Sequence, residues 1–283
     1  MIKLFAIDMD GTLLNSESKI NPATIKAIND LNKAGIKTVL TSGRVMSSIR
    51  FANKTLGVDN PMIANNGALI KLDSKKTLSE HPLEEDHIKE LIKFCDEHKF
   101  IYHFYDEDTF YSNRLDEDRL KHLKISSDYG LNYQCNISIT EDPYKDLKEK
   151  GKPAYKILIG CLNSHPYGEE KAVDIIKKAF LDKLYVTSSG PGAIEIMEPN
   201  VNKWEGIKIL SDHLGIKNNE IAAIGDSYND LPMVENAHLG FAMGNGNEDI
   251  KKVATYVVAD NNLDGIKEAS DIILKYNKDN PSV

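Results

Sequence analysis

Short apolar runs alternate with helical segments at both ends of this 283-residue chain, and this alternation restricts its fold more than any other feature. Near the N-terminus, two largely apolar runs, 3–7 and 36–40, flank a segment that begins at Asn21-Pro22, an N-cap followed by proline, and ends at Gly35. Apolar runs of this length predict buried strands. Two buried strands joined by a helix predict parallel strands with a right-handed crossover.

The C-terminal part of the chain repeats this alternation. A helix is predicted from Lys203 to His213, closed by Gly215, and the apolar residues 221–224 that follow predict a buried strand. The remaining predicted elements are a helix at 231–236, a strand at 239–243, a helical turn at 250–253, a strand at 256–258 and a helix at 263–274. The patterns at the two ends of the chain therefore predict that these ends form the two halves of one doubly wound α/β domain with a parallel sheet.

The middle of the chain has a different pattern. Polar and aromatic residues alternate at 101–105 and 109–113, which indicates an antiparallel sheet with one wetter face. The other predicted elements of this region are a strand at 155–160 and helices at 84–98, 114–124 and 169–181. We therefore predict an inserted α+β domain over 83–186, within a core domain formed by 1–82 and 187–283.

The composition argues against several classes of protein. With 35 basic and 43 acidic residues the net charge is -8, which disfavours nucleic-acid binding because phosphate contacts need clustered Lys and Arg. The three cysteines form no CxxC pair, so free thiols in a reducing compartment are expected rather than disulfides or a zinc site. Asp8 interrupts the first apolar run too early for a signal peptide, and no run is long enough to span a membrane. We expect a cytoplasmic protein without membrane contacts and with no evident obligate protein partner.

The sequence DMDGTLL at 8–14 directly follows the first predicted strand. Asp8 and Asp10 are two positions apart, so an extended backbone places both carboxylates on one side, at the end of a strand where open α/β sheets bind ligands. Gly11 permits a sharp turn, and Thr12 can hold that turn with a hydrogen bond. Two close carboxylates repel each other unless a cation or a proton intervenes. An ordinary turn is the alternative, but the complete pattern favours a site.

Polar residues also follow two other predicted strands, which should end at the same edge of the sheet. After the second strand, Ser42 offers a hydroxyl and Gly43 an unobstructed N–H to a phosphate oxygen. Arg44 suits phosphate binding and surface packing about equally well. After the third buried strand, Asp226 would reach the edge where Asp8 lies and complete a set of oxygen ligands that Mg²⁺ prefers.

Three further residues are weaker candidates by spacing alone. Asn229 can donate to a phosphate oxygen, and Asp230 can either orient a nearby cation or compensate the N-terminal charge of a helix. A cation at a helix N-terminus is mildly unfavourable, so Lys203 suggests a positive charge that opposes Asp8 and a phosphate.

Together these segments resemble the four motifs of the haloacid dehalogenase-like (HAD) phosphatases. IDMDGTLL, VLTSGR, VNK and GIK…AIGD…ND are particularly similar to the Cof-type branch and its sugar phosphatases, as are the loops NNGA (65–68) and SSGPGAIEIMEP (188–199). The resemblance covers nearly all of the core, while the middle matches mainly in length and position. It implies a Rossmann-like core, a large α+β cap of type C2B inserted after the third strand, and Mg²⁺ dependence.

The resemblance also implies a role for each candidate residue. Asp8 would be the nucleophile and a metal ligand, Asp10 the general acid/base with its backbone carbonyl on the metal, and Asp226 a ligand of Mg²⁺. The phosphate contacts would be Asp8, Met9, Ser42, Gly43, Lys203 and Asn229. The chain departs from the family pattern at Trp204, where glycine often follows the lysine. A tryptophan there could move the helix start or narrow the pocket.

The implied activity is the hydrolysis of small phosphorylated metabolites through an aspartyl-phosphate intermediate, and sugar phosphates are the favoured class of substrate. Two alternatives stay open: phosphoryl transfer to another sugar, as in phosphomannomutase-like relatives, and sugar-phosphate binding by a regulator without catalysis. Arg114 and Glu195 are candidate substrate contacts. An aromatic cluster could line a sugar pocket, although packing within the middle domain is the favoured role for Tyr102, Phe104, Tyr105, Phe110 and Tyr111.

Overall fold

The strands of the described residues form two β-sheets. The computed structural model describes residues 1–114 and 135–281. Its strands are β1 (Leu4–Asp8), β2 (Lys37–Thr41), β3 (Met62–Ala64), β4 (Leu69–Lys71), β5 (Thr77–Glu80), β6 (Ile101–Tyr105), β7 (Thr109–Ser112), β8 (Asn136–Ile139), β9 (Lys156–Gly160), β10 (Tyr185–Thr187), β11 (Ile194–Met197), β12 (Ile221–Gly225), β13 (Leu239–Ala242) and β14 (Tyr256–Val257). Its α-helices are α1 (Pro22–Lys33), α2 (Met46–Leu56), α3 (Glu85–His98), α4 (Pro143–Glu149), α5 (Glu169–Phe180), α6 (Lys203–Leu214), α7 (Leu231–Asn236), α8 (Glu248–Val253) and α9 (Gly265–Asp279).

The first sheet has eight strands in the order β14-β13-β12-β1-β2-β3-β4-β5. Pairing is parallel from β14 to β3 and antiparallel across β3, β4 and β5. Strand β1 lies between β2 and β12, where Ile7 is opposite both Leu40 and Ile224. The two ends of the chain thus meet in the middle of one sheet, which confirms the predicted doubly wound, Rossmann-like core.

Hydrophobic side chains on both faces of β1 explain the layers around this sheet. Phe5 and Ile7 pack with α1, α2 and α9 on one face, and Leu4 and Ala6 pack with α6, α7 and α8 on the other. All four residues are fully buried, and burying a side chain such as Phe or Leu stabilises a fold by about 1.5–3 kcal/mol. A central strand that is apolar on both faces requires helices on both sides.

The second sheet has six strands in the order β10-β11-β9-β6-β7-β8. Its pairs are antiparallel except for β7 with β8. Helices α3, α4 and α5 cover one face, around Phe104 and Ile157, so the inserted region is α+β as predicted. The opposite face is the more polar one, as predicted, since His103, Lys156 and Glu195 point into a cavity. It is buried rather than exposed, because it lies against the first domain, where Tyr105 and Phe110 pack with Val45, next to α2.

Several elements differ from the sequence prediction. Helix α2 was not predicted, because it buries the polar residues Ser47, Ser48 and Asn53 and has no side-chain N-cap. The second sheet also extends past the predicted boundary at residue 186, since β11 pairs with β9 and β10. Residues 188–193, rich in glycine and proline, therefore form the turn of a hairpin within this sheet rather than a link between domains.

The helix predicted at 114–124 lies outside the described residues from position 115 onward. Within residues 1–114 and 135–281, none of the helices combines the length and the apolar content that crossing a membrane requires.

Candidate active site

Three strand ends of the first sheet converge around Asp8. Asp8 is the last residue of β1 and is 4% exposed. The neighbouring strand β2 is followed by Ser42, and β12, on the other side, is followed by Asp226. Because these strands are parallel, the residues that follow them meet at one edge of the sheet. The structure thus brings together residues from the beginning and the end of the chain.

Lys203, the first residue of α6, lies between two buried carboxylates. Its Nζ is 2.5 Å from Asp8 Oδ1 and 2.5 Å from Asp230 Oδ1. Burial alone would lower the pKa of Lys203, but Asp230 and Asp8 outweigh burial and raise it well above its usual value. One ammonium cannot offset two acids, so burial first, and Asp230 second, hold the pKa of Asp8 above its ordinary range. The site therefore contains a permanent cation beside a crowded carboxylate.

Asp230 holds both this cation and the loop that follows β12. Its Oδ2 accepts hydrogen bonds from the backbone N–H groups of Asp226 and Ser227, at 3.0 and 3.1 Å, while Oδ1 accepts from Lys203. The residue is fully buried. Both of its proposed roles are seen: Asp230 orients a nearby cation, Lys203, and it accepts from a backbone N–H at the N-terminus of the short helix 228–230.

Asp226 packs directly against the DMDGT turn. Thr12 Oγ1 donates to Asp226 Oδ1 at 3.0 Å, and Gly11, with φ of 76°, lies so close that an added Cβ would overlap Asp226 Oδ2. Carboxylate oxygens of Asp8, Asp226 and Asp230 all lie within 4.8 Å of one another. Burial, followed by Asp230, raises the pKa of Asp226 to about 7. Such crowded oxygens fit a divalent cation, which would offset their repulsion.

Arg44 binds Asp10 through two hydrogen bonds. Its Nε and Nη2 lie 2.8 and 2.6 Å from the two oxygens of Asp10. Burial would lower the pKa of Arg44, but the Asp10 carboxylate outweighs burial and raises it. The third nitrogen, Nη1, is buried without a hydrogen-bond partner in the described part of the chain. The side chain of Asp10 is therefore oriented by Arg44, which agrees with a predicted metal contact through its backbone carbonyl.

A tight turn, Asn65–Gly67, supports the loop after β2 from behind. The backbone N–H of Asn65 donates to the Arg44 carbonyl, and that of Asn66 to the Ser42 carbonyl, both at 3.0 Å. Asn65 and Asn66 have φ of 49° and 56°, a left-handed conformation that Asn adopts more readily than most residues. The NNG sequence thus fixes the backbone of the predicted phosphate loop.

A cavity of about 450 Å³ lies above Asp8, between the two sheets. The first domain contributes most of the predicted site residues to its lining: Asp8, Asp10, Ser42, Gly43, Asn229 and also Arg44. The second sheet contributes polar side chains from β6, β9 and β11, namely His103, Tyr105, Lys156 and Glu195. The inserted domain therefore partly covers the cavity, as it would a substrate pocket above a reactive carboxylate.

Two predicted features of the site take a different form. The side chain of Met9 is buried in the hydrophobic core, so only its backbone is available for a phosphate contact. Trp204 packs in the cluster beneath the first sheet and is 7% exposed. Helix α6 begins at Lys203, as predicted, with Asn202 as its N-cap. Trp204 therefore neither moves the helix start nor narrows the cavity.

The candidate sugar contacts divide into two groups. Tyr105 and Glu195 line the cavity, whereas Arg114 is exposed and is not part of the lining. The hydrophobic core of the second sheet contains Tyr102, Phe104 and Tyr111. The favoured packing role thus describes most of the aromatic cluster.

The sequence reasoning missed Lys156 and His103, which are buried and line the cavity. Lys156 Nζ lies 2.7 Å from Glu195 Oε1 and 2.5 Å from the Gly43 carbonyl. The available signal was a lysine within the apolar strand predicted at 155–160, because a buried cation requires a partner. For His103 the alternating polar and aromatic pattern gave no comparable signal.

The chain is similar to known proteins over almost its whole length. A family model described as haloacid dehalogenase-like hydrolase matches residues 5–269. A putative phosphatase of Haemophilus influenzae is 28% identical over 270 residues, covering 94% of this chain and 96% of that protein. A 5-amino-6-(5-phospho-D-ribitylamino)uracil phosphatase of Bacillus subtilis is 28% identical over 269 residues, covering 95% and 94%.

A solved structure shows the same fold. The HAD subclass IIB sugar phosphatase BT4131 superposes with a TM-score of 0.77 at 23% identity, covering 96% of this chain and 98% of that one. The family match spans the convergent strand ends and the inserted domain alike. The chain therefore belongs to the haloacid dehalogenase-like hydrolases, in their Cof-type branch, and is a phosphatase.

Proposed function

We propose that the enzyme hydrolyses phosphate monoesters of small metabolites, sugar phosphates foremost, with Mg²⁺ and through an aspartyl-phosphate on Asp8. The observation that carries the proposal is the buried Asp8 carboxylate, paired with Lys203 beneath a cavity lined by Ser42, Gly43 and Asn229. A nucleophile, a fixed cation and several hydrogen-bond donors suit a phosphoryl group, whose charge is spread over three oxygens.

The proposed ligands of Mg²⁺ are the carboxylates of Asp8 and Asp226 and the main-chain carbonyl of Asp10. This assignment is supported by the carboxylate oxygens within 4.8 Å of one another and by the raised pKa of Asp226. Asp230 is left out, because Lys203 and two backbone N–H groups already occupy its oxygens. When bound, Mg²⁺ would neutralise charge on the phosphate as the transition state forms.

In the proposed reaction Asp8 attacks phosphorus in line with the leaving oxygen, while Lys203 offsets the charge of the equatorial oxygens. The bond between phosphorus and the leaving oxygen breaks, and Asp10, which enters this step in its protonated form, delivers that proton to the leaving oxygen. Asp10, now a carboxylate, takes a proton from the water that attacks the aspartyl-phosphate. Inorganic phosphate leaves and Asp8 is restored. Arg44 binds both oxygens of Asp10 and so favours the carboxylate that takes a proton from water; for the first step, a proton on Asp10 replaces one of these two hydrogen bonds.

We propose that the second sheet is the substrate-specificity cap. Its His103, Lys156 and Asn163, with the β10–β11 turn, line a cavity of about 450 Å³, which has room for a small polar leaving group. Sugar phosphates are the first candidates, because BT4131 is a sugar phosphatase and the Bacillus subtilis relative acts on a phosphorylated ribityl compound. A cytoplasmic location is proposed as well, supported by three free cysteines.

The test is phosphate release from p-nitrophenyl phosphate, followed by a panel of phosphorylated metabolites, with Mg²⁺ and with EDTA. We expect Mg²⁺-dependent release that Asp8→Asn lowers by at least about 1000-fold. The matched control is Asp271→Asn, because Asp271 pairs with Lys267 on the exposed surface of α9. A fully active Asp8→Asn variant would falsify the nucleophile assignment.

The same assay separates the two alternatives. An aspartyl-phosphate can be attacked by a sugar hydroxyl as well as by water. Phosphate release without any added sugar bisphosphate supports hydrolysis, and turnover that requires a bisphosphate would support a phosphotransferase instead. Tight binding of sugar phosphates without any turnover would support a regulator.

A further inference from the structure

A buried chain of hydrogen bonds connects the second sheet with the phosphate-binding residues of the first domain. Lys156 on β9 donates to Glu195 Oε1 on β11 at 2.7 Å. The other oxygen of Glu195 accepts from Asn66 Nδ2 at 2.6 Å, and Asn66 Oδ1 accepts from Asn229 Nδ2 at 3.1 Å. All four side chains are buried, Lys156 and Glu195 at 2% exposure each. These hydrogen bonds thus connect the second sheet to Asn229, a residue of the cavity lining.

The charge of Glu195 determines the direction of each hydrogen bond in this chain. A carboxylate can only accept, so Asn66 must turn its amide nitrogen toward Glu195. The same nitrogen lies 3.9 Å from Met197 Sδ, a weak acceptor on the same strand. The carbonyl oxygen of Asn66 therefore faces Asn229, which must present its own amide nitrogen. One N–H of that nitrogen donates to Asn66, which leaves the second N–H for a ligand.

Glu195 remains ionised despite its burial. Burial would raise the pKa of Glu195, but the charge and hydrogen bond of Lys156, followed by the hydrogen bond of Asn66, outweigh burial and lower it. An ion pair in a protein interior is frequently no more stabilising than apolar residues of the same volume. The pair formed by Lys156 and Glu195 lies between the two sheets, and this position suggests a role other than stability.

The network also holds the loop that contains Gly43. Lys156 Nζ donates to the Gly43 carbonyl at 2.5 Å and lies 4.7 Å from the centre of the Tyr105 ring, so its charge is already engaged on three sides. A Cβ added to Gly43 would be 3.0 Å from Asn66 Oδ1 and 3.3 Å from Glu195 Oε1. Glycine at position 43 therefore lets the charged pair approach the phosphate loop closely.

We propose that Lys156 and Glu195 are positioning residues of the phosphate site: from the cap sheet they fix the Gly43 loop and, through Asn66, turn one N–H of Asn229 toward the phosphate. This role acts through Asn66 and the Gly43 loop, and it is separate from any contact with the leaving group, whose cavity both residues also line. The inference rests on the proposed function, since it requires a phosphate beside Asn229. It makes the inserted domain part of the phosphate site as well as a cover for the leaving group.

The test transfers the negative charge from position 195 to position 66, the next residue in the chain of hydrogen bonds. Glu195→Gln keeps the shape of the side chain but allows it to donate, so the amide of Asn66 is no longer fixed. The double substitution Glu195→Gln/Asn66→Asp restores an obligate acceptor, which can accept both from the new amide at position 195 and from Asn229. Glu90→Gln is the matched control, because Glu90 pairs with Lys183 at 2.6 Å on the exposed surface of the cap.

The measurements are the Kd of orthophosphate by calorimetry with Mg²⁺, the kcat and KM for p-nitrophenyl phosphate, and the melting temperature. We expect Glu195→Gln to raise Kd and KM about tenfold, as the loss of one hydrogen bond to a charged ligand would. The double variant should return to within about threefold of the wild type. Glu90→Gln should be unchanged.

An unchanged orthophosphate Kd in Glu195→Gln, or a double variant as weak as the single one, overturns the inference. If Glu195→Gln does not fold, Lys156→Met/Glu195→Gln removes both charges, and we expect a folded protein with weak phosphate binding. A wild-type Kd in that variant also overturns the inference. A wild type that neither binds phosphate nor hydrolyses esters contradicts the proposed function itself. An active wild type whose variants bind phosphate as tightly as it does contradicts only the positioning role.

Discussion

The Nζ of Lys203 lies 2.5 Å from Asp8 Oδ1, although 195 positions separate the two residues in the chain. The same ammonium is shared with Asp230, so a single buried cation holds the proposed nucleophile and the loop after β12 together. The negative charge of a bound phosphoryl group would add to an arrangement that already has more acids than bases. Substitutions at this site therefore alter the balance of charge as much as the shape of the site.

Lys203→Met should destabilise the protein and inactivate it. The substitution leaves Asp8 and Asp230 as buried carboxylates without their cation, and breaking a buried ion pair in this way costs about 3–5 kcal/mol. We expect that loss in the free energy of unfolding from urea denaturation, with a fall in kcat/KM of at least about 100-fold. Lys208→Met on the same helix is the control, because Lys208 is half-exposed and should change stability by only about 0.5 kcal/mol. Equal stability of the two variants would contradict the role of Lys203.

Gly11→Ala should disrupt metal binding, and Gly35→Ala should not. Both glycines have positive φ, 76° and 82°, so an alanine is strained at either position, by about 1 kcal/mol. Only at Gly11 would the added Cβ overlap Asp226, since nothing lies within 4 Å of the corresponding position at Gly35. We expect calorimetry to show weaker Mg²⁺ binding in Gly11→Ala and unchanged binding in Gly35→Ala. Equal Mg²⁺ affinity in the two variants would show that the contact with Asp226 does not matter.

Arg44→Lys should lower turnover while the fold is retained. Arg44 holds both oxygens of Asp10, and a lysine ammonium cannot reproduce this planar, two-point contact. A lost hydrogen bond to a charged group corresponds to a fall in kcat of about 10- to 100-fold. The comparison variant is Arg50→Lys, whose partners Glu107 and Asp108 are outside the cavity lining. If kcat changes equally in both, Arg44 has no special role in orienting Asp10.

Raising the pH should destabilise the metal-free protein. Asp226 has a pKa of about 7 in the folded protein against an ordinary value of 3.8, so the folded state binds more protons in this interval and loses stability as pH rises through it. In EDTA the melting temperature should fall between about pH 5 and about pH 8, and added Mg²⁺ should raise it more at the higher pH. Asp226→Asn should weaken both effects. A metal-free melting temperature that rises over this interval would contradict the raised pKa.

The core elements could be predicted from sequence because their signals are local. Residues 4–7 are apolar on both faces, Gly35 and Gly215 mark helix ends, and the DMDGT segment begins at the last residue of a strand. Helix α2 could not be predicted in this way, because the polar residues Ser47, Ser48 and Asn53 are buried and interrupt the apolar spacing of a helix. The partner of Asn53 is the carbonyl of Asn60, a contact that the sequence pattern does not reveal. The β10–β11 hairpin was missed for a related reason: its glycine-rich turn has the composition of a linker, and only pairing with β9 assigns it to the second sheet.

The same distinction between local and tertiary signals applies to the residues of the site. The sequence by itself determined which residue types follow each strand of the core, because strand and turn patterns depend on neighbouring residues, and parallel strands must end at a common edge. Only the tertiary structure decided that Lys203 is shared by Asp8 and Asp230, that Arg44 holds Asp10, and that a charged pair from the cap reaches the Gly43 loop. These contacts join elements far apart in the chain, and periodicity records only whether a position is buried, not which partner it meets there.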